Sequence, residues 1–85
     1  MSATEQRFFC YLLECSDGSF YAGWTTDLQK RLSAHNAGRG ARYTRSRLPV
    51  RLVYFEELPN RSAAQRREAA LKKLTHAQKE QLVTK

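Results

Sequence analysis

The chain has 85 residues, enough for one domain with a small core. No apolar run approaches the ~18 residues that cross a bilayer. The opening MSATEQR is polar and carries an acid, unlike a leader peptide, so a soluble, cytoplasmic protein without a membrane role is expected.

Phe8 to Cys15, FFCYLLEC, is apolar and aromatic, and its length suits a strand. Ser16-Asp17-Gly18 signals a turn, and Ser19 to Trp24 reads as a second strand, which together predict a β-hairpin. A three-residue loop with a left-handed Gly18 pairs Cys15 with Ser19 and Leu13 with Tyr21. That register brings Tyr11, Leu13, Tyr21 and Gly23 to one face, whereas a two-residue loop sends the tyrosines to opposite faces. Cys10 and Cys15 share one strand and stand too far apart to bridge, so both are expected reduced and structural. Thr26 and Gln29 predict a capping box that opens a helix ending near Ala37, where Gly38 stops it. Gly38 to Pro49 reads as an ordered basic loop, and Arg51 to Glu57 as a third strand. Ser62 to Gln65 predicts a second capping box and a helix to about Leu74. Thr75 to Gln78 predicts a third, opening a short terminal helix to about Val83. The expectation is an α+β domain of order β-β-α-β-α-α, a three-stranded, largely antiparallel sheet flanked by helices.

The formal net charge of +7 is unevenly spread. Residues 28 to 51 hold Lys30, Arg31, Arg39, Arg42, Arg45, Arg47 and Arg51 and no acid. A guanidinium fork suits phosphate oxygens, so a polyanion partner is expected. No basic amphipathic helix with bulky apolar anchors points to a membrane surface instead. Arg39, Arg42, Tyr43, Arg45 and Arg47 form the candidate nucleic-acid-binding loop. The bland alternative is a solvated loop whose arginines pair with Glu56 and Glu57. Arg31 and His35, four apart on one helix, share a face that could serve an anionic transition state. Glu68 is the only acid of its helix, with Arg66, Arg67, Lys72 and Lys73 around it, and Ala64 and Leu71 turn its face inward. A half-buried carboxylate beside nucleic acid calls for a metal ion between them. A salt bridge to Lys72 is the plainer reading.

The ordered set of Tyr11, Tyr21-Ala22-Gly23, Arg31, His35 and Glu68, with the segment GRGARYTRSRLPVRLVY, resembles the GIY-YIG nuclease superfamily, and within it the short stand-alone bacterial proteins. Phe9-Cys10-Tyr11 stands where that family has Gly-Ile-Tyr, and Tyr21-Ala22-Gly23 where it has Tyr-Ile-Gly. The resemblance spans residues 7 to 83. It implies an endonuclease hydrolysing phosphodiesters, DNA more than RNA, structure-selective or non-specific, in repair or recombination. Glu68 would hold one Mg²⁺ or Mn²⁺, and Arg31 would clamp the scissile phosphate. Tyr11, with Tyr21 beside it, would take the proton of an attacking water, and His35 would orient a tyrosine or the water. Gly23 would let a side chain or substrate approach the backbone. In that family extra domains supply specificity, so a protein partner is expected to direct this chain. A binding module with the nuclease fold but little cleavage is the alternative. A protein adaptor has only a thin apolar patch near Phe55 and Leu58 to use.

Overall fold

The computed structural model describes residues 6–84. The expectation about a leader falls mostly on residues 1–5, outside the described residues. Three strands, β1 (Phe8–Glu14), β2 (Phe20–Thr25) and β3 (Arg51–Leu58), combine with four helices, α1 (Leu28–Asn36), α2 (Arg42–Arg45), α3 (Arg61–Lys72) and α4 (His76–Thr84). The class is α+β, and the order is β-β-α-α-β-α-α. The difference from the expected order is α2, one turn inside the basic loop. A four-residue helix is too short to leave a period in the sequence, and no side chain caps it.

The sheet order is β2-β1-β3, with both pairings antiparallel. The central position of β1 explains its continuous apolar run. Cys10 and Leu12 face one side, packing with Ala22, Ala64 and Leu71 under α3. Tyr11, Leu13 and Cys15 face the other, packing with Val50, Leu28 and Leu32 beside α1. Alternate side chains of one strand thus build two cores. A register shift between Leu12 and Leu13 lets β3 bend along this edge. Both cysteines are buried and unbridged. The Cys10 thiol donates to the Ala64 carbonyl at 2.9 Å, and burial pushes its pKa up to about 11.

The hairpin takes the three-residue register. Leu13 pairs with Tyr21 and Tyr11 with Gly23, and Gly18 has φ 84°. The Cys15 N–H donates to the Ser19 carbonyl at 2.8 Å, and the Asp17 carboxylate accepts from the Ser19 N–H at 3.0 Å. Helix starts differ from expectation in two places. Asp27, not Thr26, caps α1 by accepting from the Lys30 N–H at 3.0 Å, while the Thr25 hydroxyl accepts from the Asp27 N–H at 3.1 Å. Asn60, not Ser62, caps α3 by accepting from the Ala63 N–H at 2.8 Å. In both cases a carboxylate or amide oxygen close to the expected hydroxyl takes the cap, Asp27 one residue after Thr26 and Asn60 two residues before Ser62. The third box forms as expected: Thr75 accepts from the Gln78 N–H at 3.1 Å, and the Gln78 side chain accepts from the Thr75 N–H at 2.9 Å.

Candidate active site

The hairpin register decides where the phenols go. Tyr11 on β1 and Tyr21 on β2 project from the same sheet face as Gly23. Helix α1 packs on that face through Leu28 and Leu32, which carries Arg31 and His35 to it. Glu68 arrives from α3, which packs on the opposite face. Tyr11, Tyr21, Gly23, Arg31 and Glu68 line one pocket of about 380 Å³, together with Gln6, Trp24, Thr25, Thr26 and Arg61. Glu68 is therefore the wall contributed from the far side of β2. Its side chain keeps 22% exposure and pairs with Lys72 at 3.4 Å, so it meets the helical partner and the pocket at once.

His35 is fully buried behind the phenols. Tyr11 Oη lies 3.2 Å from His35 Nε2, and His35 Nδ1 lies 2.8 Å from Thr44 Oγ1. The Thr44 hydroxyl donates to the Ala41 carbonyl at 3.0 Å, so its oxygen is left to accept from Nδ1–H. Nε2 then accepts from the Tyr11 O–H, which gives that buried phenol its acceptor. The Ala41 N–H also approaches Nδ1, at 3.4 Å, and favours the other tautomer. The shorter contacts and the need of the Tyr11 proton for an acceptor outweigh it. The result is a chain of donors from Tyr11 through His35 and Thr44 to the backbone.

Burial, and then the neighbouring Tyr21, push the Tyr11 phenol well above its ordinary value, and Arg31 opposes them. Burial, and then Arg31, lower His35, so the imidazole is neutral near pH 7. Two glycines make room for this packing. A Cβ at Gly23 would meet Tyr11 Oη at 2.5 Å, and one at Gly40 would meet His35 Nδ1 at 2.3 Å.

The basic loop divides. Arg39 lines a cleft with Lys30 and Arg31 that shares Thr25, Thr26 and Arg31 with the main pocket. Arg42 and Arg45 border a separate open cleft with Ser46. Arg47 donates to Asp17 at 3.1 Å and to the Tyr43 carbonyl at 2.8 Å, and it lies over the Tyr43 ring. Glu56 pairs with Arg67 and Glu57 with Arg7, so neither acid neutralises the loop. Arg31, Arg39, Arg42 and Arg45 form no ion pair among the described residues. Trp24 packs against Phe8 in the first core, with ring centroids 6.5 Å apart, and its other edge reaches the pocket near Arg61.

A family model of the GIY-YIG catalytic domain matches residues 7–81. The chain belongs to the GIY-YIG family. A UPF0213 protein of Clostridium perfringens is 55% identical over 76 residues, covering 89% of this chain and 82% of the relative. A UPF0213 protein of Halobacterium salinarum is 54% identical over 72 residues, covering 85% and 94%. The solution NMR structure of a UPF0213 protein from Bacillus halodurans matches with a TM-score of 0.58 at 46% identity, covering 92% of this chain and 83% of that one. An E. faecalis protein, also solved by NMR, matches at 0.61 and 48% identity, covering 91% and 82%. These relatives are short proteins of similar length, so this GIY-YIG domain is matched with nearly the whole of each.

Thr44, Gly40, Lys30 and Arg61 are site or pocket-lining residues absent from the sequence-derived set. Thr44 sits between Tyr43 and Arg45 in the one-turn helix α2 and carries no period. Gly40 reads as an ordinary loop glycine until His35 is seen against it. Arg61 precedes the expected start of its helix, and only the packing of α3 on β2 brings it to Trp24.

Proposed function

We propose that the chain is a divalent-metal-dependent endonuclease acting on DNA phosphodiesters, and that Tyr11, Tyr21, Arg31, His35 and Glu68 form its active site. The observation that supports it most is one pocket lined by two phenols, two guanidinium groups and one carboxylate, with an imidazole hydrogen-bonded to one of the phenols. Among the described residues no group of three His, Cys, Asp or Glu converges, so a closed zinc-type cage does not fit. One carboxylate in a pocket open to a phosphate does fit Mg²⁺ or Mn²⁺, which keep several waters and take substrate oxygens as ligands. Glu68 would hold the ion, which would supply charge neutralisation at the phosphoryl group and the leaving oxygen.

The protein groups divide the remaining work. Arg31 clamps a non-bridging phosphate oxygen and shields the developing charge. Tyr11 accepts the proton of the attacking water as it passes its own proton to His35 Nε2. That route avoids a free phenolate, which burial makes costly here. Thr44 holds the imidazole in the accepting tautomer. Tyr21, its ring 5.3 Å from that of His35, closes the other side. Arg39 with Lys30, and Arg42 with Arg45, give phosphate affinity without sequence choice. The proposal includes a structure-selective or non-specific role in repair or recombination, directed by a protein partner, since contacts to phosphates carry no sequence information.

The test is cleavage of nicked, flapped, forked and single-stranded DNA with Mg²⁺ or Mn²⁺. Glu68→Gln is expected to lower the rate at least a hundredfold while DNA binding in chelator stays intact or tightens. If wild-type protein binds DNA in a salt-dependent way yet cleaves no substrate with either metal, the chain is a binding module with the nuclease fold.

A further inference from the structure

The pocket of Tyr11, Arg31 and Glu68 does not end at Tyr21. Tyr21 also lines a second cleft, of about 290 Å³, with Phe20, Ala22, Tyr43, Lys72 and Lys79. The Tyr21 and Tyr43 rings lie nearly parallel, 23° between planes, with centroids 6.1 Å apart. The Arg47 guanidinium covers Tyr43 at 3.9 Å from the ring centroid. Arg47 is itself held by Asp17 and by the Tyr43 carbonyl, so it backs the ring and is not free to reach a phosphate. Tyr43 nonetheless keeps 39% exposure. An aromatic ring that is open to solvent, fixed from behind and flanked by two ammonium groups loses little freedom when a planar anion-linked group settles on it.

We propose that this cleft seats one unpaired nucleobase next to the scissile phosphate, stacked on Tyr43, with an adjoining phosphate met by Lys79, while Lys72 stays paired with Glu68. The proposal rests on the nucleic-acid reading above and names its substrate class: DNA that is single-stranded or unpaired at the cleavage site. A base inside a continuous duplex already spends both faces on its neighbours and must be flipped before it can occupy the cleft. A base in a flap or single strand is available without that cost. Stacking on an aromatic ring is sequence-tolerant, which suits a site that holds its substrate through phosphates.

The experiment measures binding of wild type, Tyr43→Ala and Tyr43→Phe in chelator. The probes are a single strand, a flap and a continuous duplex, each labelled at the junction with the fluorescent adenine analogue aminopurine. Wild type is expected to quench the label in the single strand and flap. Tyr43→Ala should abolish quenching and lower the ratio of flap to duplex affinity roughly tenfold. Tyr43→Phe should keep both. Lys79→Ala leaves the ring in place and should weaken the flap with a shallower salt dependence. Equal weakening of all three probes by Tyr43→Ala, an unchanged ratio, or loss of quenching in Tyr43→Phe overturns the proposal. Cleavage that persists with an unchanged ratio overturns only the base seat. Quenching that depends on Tyr43 in a chain that never cleaves overturns only the nuclease reading.

Discussion

Thr44 is a small residue with a large effect on the site. It is fully buried between exposed Tyr43 and Arg45, and its one hydroxyl ties the basic loop to the imidazole behind Tyr11. The loop that would meet substrate and the group that would take a proton are thus joined chiefly by this hydrogen bond, with the Ala41 N–H a longer contact at 3.4 Å. Thr44→Val preserves the shape and removes the acceptor, leaving His35 Nδ1–H buried without its partner. The expected outcome is a drop in cleavage of about tenfold or more with little change in substrate affinity, and Thr44→Ser should restore most of the rate. Kinetics on one flap substrate check it, and an unchanged rate in Thr44→Val would show that the imidazole needs no such support. Gly23 and Gly40 act at the same scale. Each is the space into which a functional side chain packs, so a methyl group at either must displace Tyr11 or His35.

At the scale of elements, α3 does two things along one helix. Its Ala64 and Leu71 are fully buried against Cys10 and Leu12, and Glu68 between them turns to the pocket. The packing of α3 on β1 and β2 is what carries a carboxylate to phenols on the other sheet face. Leu71→Ala opens a cavity under that contact and is expected to cost about 2–5 kcal/mol, a large share of the stability of so small a domain. Asn60→Ala removes only the cap and should cost about 1 kcal/mol. Urea midpoints of the two variants check the order, and a larger loss in the cap variant would mean that the helix is held by its start and not by its buried face.

At the scale of the molecule, charge and protonation are shared out unevenly. Among the described residues, five ion pairs, Arg7–Glu57, Asp17–Arg47, Glu14–Arg51, Glu56–Arg67 and Glu68–Lys72, occupy acids of β1, the hairpin turn, β3 and α3. Lys30, Arg31, Arg39, Arg42 and Arg45 around α1 and α2, with Arg61, Arg66, Lys73 and Lys79 on or beside α3 and α4, stay outside these pairs, so the unneutralised field covers the clefts of both regions. Folding also holds His35 below its ordinary pKa, because burial and Arg31 disfavour the imidazolium. A depressed histidine means that the unfolded chain binds the proton more readily. The stability it contributes is complete above the ordinary histidine value of ~6.5 and is lost as pH falls through the lower folded value. Urea midpoints of wild type should therefore decline as pH is lowered from ~7.5 through that window, and His35→Gln should flatten the decline. An equal decline in both would assign the effect to other groups. Glu56, held low by Arg67, acts in the more acidic carboxylate window.

The sequence by itself determined much of the local geometry around the candidate site. The Asp17-Gly18 turn allowed two hairpin registers, and the three-residue loop that the structure adopts puts both phenols on one face. The spacing of Arg31 and His35 put them on one helix, and Thr75 with Gln78 announced the last helix. These are short-range consequences of turn chemistry, strand alternation and helical period, which neighbours in the chain suffice to specify. Only the tertiary structure decided how α3 reaches over β2 with Glu68, how Thr44 and Gly40 close on His35, and which loop arginines face the pocket. Those contacts join residues far apart in the chain, and no local period records which distant side chain fills a given space.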